Sequence, residues 1–164
     1  MDYKENRKKI KTGDLIAFSG GSWTNWHDIQ VNLVRMATRS EYSHVAIAWV
    51  VLERVMLLEA VGAGVRIYPL SNDLPCYWIP RPYSLNTVAL EEAFSIIGQK
   101  YSKWEAIKSF FGKVKIGEDK LWECAEFVMH IYAKQGEVLD CLPTPTDVVK
   151  TCISKWDAPV NFLE

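Results

Sequence analysis

An α+β fold, with an antiparallel sheet built first and helices packed on one side of it, is predicted by two changes along the chain. From Asp14 to Pro82 the residues favour extended structure and are divided into short segments by turn formers; beyond Pro82 the apolar residues fall at helical spacing. The length of 164 residues suits a single domain with a real core, and we expect residues 1–164 to form one.

Leu15-Ile16-Ala17-Phe18 is a short apolar strand that follows Thr12-Gly13-Asp14 and runs into Gly20-Gly21. Between His27 and Thr38, Ile29, Leu33, Val34 and Ala37 recur at helical spacing. Ser43 to Leu52 is rich in Val, Ile and Ala and reads as a buried central strand. Val55–Val61 and Val65–Pro69 follow as strands, separated by Gly62-Ala63-Gly64, and Tyr77–Pro82 reads as an edge strand because prolines flank it. Asn86 or Thr87 then caps a helix to about Gln99, with Leu90, Ala93, Phe94 and Ile97 on one face. Trp104–Phe111 is a shorter helix stopped by Gly112. Another starts near Cys124 and ends at Gly136, and Thr146 caps a last one through Cys152.

Composition excludes several functions. A formal net charge of -1 and a hydrophobic share of 49% argue against disorder and give no basic excess for a phosphate backbone, so no nucleic acid is expected. Met1 to Lys11 is polar and basic without a signal-like apolar run, and no window reaches the length of a membrane span, so the expected location is cytoplasmic. Cys76, Cys124, Cys141 and Cys152 lack Cys-x-x-Cys spacing, and reduced thiols are expected. The His and Cys residues are too scattered for zinc, so no metal or other cofactor is assigned.

Two residues carry the chemistry. A thiol at a helix N-terminus meets unpaired N–H groups that favour its anion, and Cys124 stands where such a helix begins. The stripe Cys124, Val128, Ile131, Tyr132 is equally a core pattern, since cysteine is among the most buried residue types. His44 opens the central strand on the face it shares with Ala46, Ala48 and Val50, where small alanines leave room for another side chain or a substrate. Glu59, in Leu57-Leu58-Glu59-Ala60-Val61, is a carboxylate in an apolar strand that calls for a partner. A hairpin around Glu53-Arg54 places it opposite Ala48, one pleat or two past His44. His27, His130, Glu126 and Asp14 rank lower, and Asp14 reads as a turn closure at the strand entrance.

Thr12-Gly13-Asp14-Leu15-Ile16, the run Ala37 to Ile47 through Ser43-His44-Val45, Leu58-Glu59-Ala60, Gly64-Val65-Arg66-Ile67-Tyr68-Pro69-Leu70 and Glu123-Cys124-Ala125-Glu126-Phe127-Val128 together resemble the circularly permuted NlpC-type papain-like hydrolases, the YiiX-like group. The matching blocks span residues 12 to about 128. The resemblance implies a circularly permuted papain-like arrangement with Cys124 as nucleophile, His44 as general base and acid, and Glu59 as the orienting residue. It implies amidase or peptidase activity on a peptide-like substrate. A similarity to lecithin:retinol acyltransferase-like enzymes keeps acyl transfer or ester hydrolysis open, with Trp23, Trp26 and Trp104 as acyl-pocket residues. A third reading is a binding module that keeps the fold without the activity. The sequence departs from the group at Ala125, where relatives often carry Ser, and lacks an Asn-Gly turn between His44 and Glu59. Gly20-Gly21-Ser22-Trp23 reads as a loop at the site mouth.

Overall fold

The computed structural model describes residues 1–19, 41–61, 64–98 and 122–164, and within them five strands precede the long helices and a sixth follows them. A short helix, α1 (Tyr3–Asn6), is capped by the Asp2 carboxylate, which accepts from the Glu5 N–H. Six strands follow in one sheet: β1 (Leu15–Phe18), β2 (His44–Val51), β3 (Arg54–Val61), β4 (Gly64–Pro69), β5 (Cys76–Ile79) and β6 (Asn161–Leu163). Their spatial order is β4-β3-β2-β1-β5-β6, and every neighbouring pair is antiparallel. The helices are α2 (Thr87–Ser95), α3 (Trp122–Lys134) and α4 (Pro145–Trp156). The architecture is therefore α+β, as the sequence predicts.

Period-two alternation sends the two faces of β2 into different cores. Val45 and Ile47 join Leu58 and Ala60 of β3 against α2, α3 and α4. Each fully buried Val, Ile or Leu there contributes roughly 1.5–3 kcal/mol. Ala46 and Ala48 face the other way, among Tyr3, Ile10, Ile16, Phe18, Leu57 and Trp78. The room beside these alanines is thus taken by the protein's own side chains. This second face is covered by the N-terminal segment, whose Tyr3 and Ile10 are buried although the sequence there looks merely polar.

Several boundaries differ from expectation for local reasons. The β5 strand is interior, because the C-terminal β6 pairs beyond it and Pro80 lies past the paired residues. The α4 cap is Thr144, whose hydroxyl accepts from the Asp147 N–H, with Pro145 at the first helical position, where no N–H is needed. Thr146 instead accepts from the N–H groups of Glu41 and Tyr42, tethering the approach to β2. The α2 helix stops at Ser95, and the Gly98 N–H goes to the Val65 carbonyl. At the end of α3, Gly136 takes φ +84°; its N–H bonds the Ala133 carbonyl and that of Glu137 bonds the Tyr132 carbonyl, the doubly bonded stop that glycine favours. Gly13 is held to glycine by φ +105° and by the Leu85 nitrogen, 2.8 Å from where a Cβ would sit. The expected helices at 27–38 and 104–111, the 20–23 loop, His27, Trp23, Trp26 and Trp104 lie outside the described residues. No helix among the described residues is long and apolar enough to cross a membrane.

Candidate functional site

Register decides which side chains meet. The β2–β3 turn is the pair Leu52-Glu53, with φ +47° and +62°, and Val51 pairs Arg54. Two consecutive left-handed residues match the twist of a tight hairpin, and here they occur without glycine. This turn lies one residue earlier than the expected Glu53-Arg54, which moves every cross-strand pair by two. Ile47 pairs Leu58, so continuing the register brings Glu59 level with Ala46 rather than Ala48. His44 is then the diagonal neighbour of Glu59 on the same face, within reach of two long side chains.

The contact is made. His44 Nε2 lies 2.7 Å from Glu59 Oε2, and the Glu59 side chain is only 1% exposed while that of His44 is 23% exposed. The second oxygen, Oε1, accepts from Arg66 Nε at 2.7 Å. Arg66 stands directly opposite Glu59 across the β3–β4 ladder. The carboxylate that meets His44 is thus Glu59, ahead of Glu126 and Asp14. Burial by itself raises the Glu59 carboxyl, but His44 and Arg66 outweigh it and hold the group below its ordinary value.

Cys124 belongs to the first turn of α3, is 3% exposed, and lies in the core cluster with Val128, Ile131 and Tyr132. The core stripe does not keep Cys124 away from His44, because the sulfur also hydrogen-bonds the His44 ring. With Nε2 engaged by Glu59, Nδ1 is the ring nitrogen left to face sulfur. Burial lowers the His44 pKa, yet Cys124 and then Glu59 more than offset it, and the ring is raised from 6.5 to about 10. The imidazole is consequently kept charged at neutral pH. Phe18, its cross-strand partner in β1, packs a tilted ring against it with centroids 5.7 Å apart.

The other expected residues are elsewhere. Asp14 is fully buried and accepts from the Lys11 N–H, the Trp78 indole and the Arg81 N–H, at 2.9, 2.7 and 2.9 Å. It closes the turn before β1, at the end of that strand opposite Phe18 and His44. His130 pairs with Glu92 of α2 at 2.6 Å. Cys76 is pushed up to about 12 by burial, and burial likewise raises the thiols of Cys141 and Cys152. No disulfide joins the four cysteines. Two groups near the site escape a reading from strand content alone: Arg66, recoverable from the β3–β4 register in which Val61 pairs Gly64, and Asp73, which follows the 3-10 turn Leu70–Asn72. Burial raises the Asp73 carboxyl and Glu59 raises it further, against His44 and Arg66.

A six-stranded antiparallel sheet with helices, bearing a thiol, an imidazole and a carboxylate in one line, defines the class of site. No protein-family model and no curated protein sequence matches the chain. Among solved structures, its fold is similar to the crystal structure of metalloprotein yiiX from Escherichia coli O157:H7, with a TM-score of 0.54 and 21% identity over 79% of this chain and 68% of that one.

Proposed function

We propose that the chain is a single circularly permuted papain-like domain that cleaves an amide bond through Cys124, His44 and Glu59. The observation that carries this is the placement of the His44 ring, bonded by the Cys124 sulfur on one side and by Glu59 on the other at 2.7 Å. The likeness to yiiX supports the layout.

In this reading the Cys124 sulfur attacks the substrate carbonyl, forming a C–S bond and an oxyanion that the Cys124 N–H stabilises. The charged His44 gives its proton to the leaving amine as the C–N bond breaks. Water then attacks the thioester, His44 takes its proton, and the acid leaves as sulfur is released. Glu59 keeps the ring turned toward sulfur and stabilises its charged form throughout. A peptide-like substrate fits this sequence. The described yiiX protein is called a metalloprotein; among the described residues of this chain no group of three or more His, Cys, Asp or Glu side chains is arranged to hold a metal ion. The proposed steps run through sulfur and imidazole.

The test compares the parent with Cys124→Ala and His44→Ala using an electrophilic thiol probe, then offers peptide amides and acyl esters side by side. Labelling of Cys124 that His44→Ala suppresses, with amide turnover, supports the proposal. Turnover of the ester alone overturns the amide assignment in favour of acyl transfer or lipid hydrolysis, and equal slow labelling of all four cysteines overturns catalysis altogether.

A further inference from the structure

We propose that Arg66 is a positioning residue of this thiol site, fixing the plane of the Glu59 carboxylate and supplying the fourth charge in an alternating line of Cys124, His44, Glu59 and Arg66. The inference rests on the catalytic reading above. Three observations carry it. Arg66 Nε and His44 Nε2 take the two different oxygens of Glu59, each at 2.7 Å, so the carboxylate cannot rotate without breaking one bond. Arg66 faces Glu59 in register, so the backbone ladder itself sets the approach. Its guanidinium is stacked over the Tyr68 ring, 4.4 Å from the centroid, on the same face of β4 two residues on. The Arg66 side chain is thus held between an aromatic platform and a buried acid although it is 46% exposed.

Charge counting gives the reason such a residue matters. A thiolate facing an imidazolium is neutral as a pair, but a buried Glu59 carboxylate beside them leaves one excess negative charge that opposes the thiolate. Arg66 cancels it. Asp73, the other acid near this line, has its carboxyl raised by burial and by Glu59, against His44 and Arg66. The groups meeting at Glu59 are therefore His44 from β2, Arg66 from β4 and Asp73 from the turn after β4, with Cys124 of α3 beyond His44.

The experiment uses the full chain and follows Cys124 alkylation by iodoacetamide against pH, resolved by peptide mass, together with the carbon-13 titration of the Glu59 carboxyl. Parent, Arg66→Gln and Arg66→Lys are compared. Losing the cation moves both inflections upward in Arg66→Gln, by about half to one pH unit given the exposure of the arginine, and Arg66→Lys restores most of the change because it keeps the charge. An inflection for Cys124 that stays in place in Arg66→Gln overturns the inference, whether or not Glu59 moves, since Arg66 is then only a structural ion pair. A shift that Arg66→Lys fails to reverse overturns the charge-balancing role. Slow alkylation of Cys124 in the parent overturns the catalytic reading and the inference with it; that outcome is visible in the parent alone, whereas failure of the inference appears only between variants.

Discussion

Replacing Glu59 by Gln is the sharpest perturbation the site offers, because it removes one charge and almost no volume. The His44 ring is raised from 6.5 to about 10, which corresponds to roughly 5 kcal/mol in favour of the charged form. Cys124 supplies the first of the raising contributions and Glu59 the next. An opposite charge at hydrogen-bond distance is worth about 1–3 pH units, so the His44 inflection should fall by that amount in the variant. The amide also reverses a bond: with its oxygen held by Arg66, its NH₂ donates to Nε2, leaving the proton on Nδ1, where it faces sulfur and cannot accept. Turnover of an accepted peptide amide should then drop by about 10²–10⁴-fold. Folding stability should fall by about 1–4 kcal/mol near pH 6, which is the fall of the His44 inflection converted into free energy.

The pH dependence has a definite sign. The folded His44 value lies above the unfolded one, so its contribution to stability is complete below 6.5 and is lost as pH rises through about 10. The folded Glu59 value lies below its ordinary 4.5, so its contribution is present above that and is lost as pH falls. Glu59→Gln should blunt both losses. Nitrogen-15 titration of His44, with denaturant midpoints across pH, reads these effects. A His44 inflection that does not move refutes the reasoning, because Glu59 then neither orients nor charges the ring.

Cys124 should be alkylated well before Cys76, Cys141 and Cys152, whose thiols burial holds in the neutral form; peptide mapping after brief iodoacetamide exposure checks the order. Asp14→Asn turns one of three accepted bonds into a clash of donors inside a fully buried turn. It should cost about 2–4 kcal/mol in urea unfolding, while Cys124 alkylation of the folded fraction stays at the parent rate. The double change Leu52→Asn with Glu53→Gly relieves two positive φ angles at an exposed turn and should stabilise by about 1 kcal/mol; a lower thermal midpoint would contradict the turn assignment.

Strand-then-helix order, the alternation of β2 and the local setting of Cys124 and His44 are legible along the chain, because periodicity and turn chemistry are properties of a few adjacent residues. Glu59 is also marked there as an acid in need of a partner. Which partner it finds depends on how the strands pair in three dimensions. A one-residue choice of turn, Leu52-Glu53 instead of Glu53-Arg54, moves Glu59 from Ala48 to the level of Ala46 and so to His44. Turns built without glycine leave no local signature of that choice; it follows from both faces of β2 and β3 being buried, where a slip in pairing would send the wrong side chains into each core. The same holds for β6, which pairs with β5 across more than eighty residues of chain, and for the N-terminal Tyr3 and Ile10. Their burial depends on a surface that exists only once the sheet has formed.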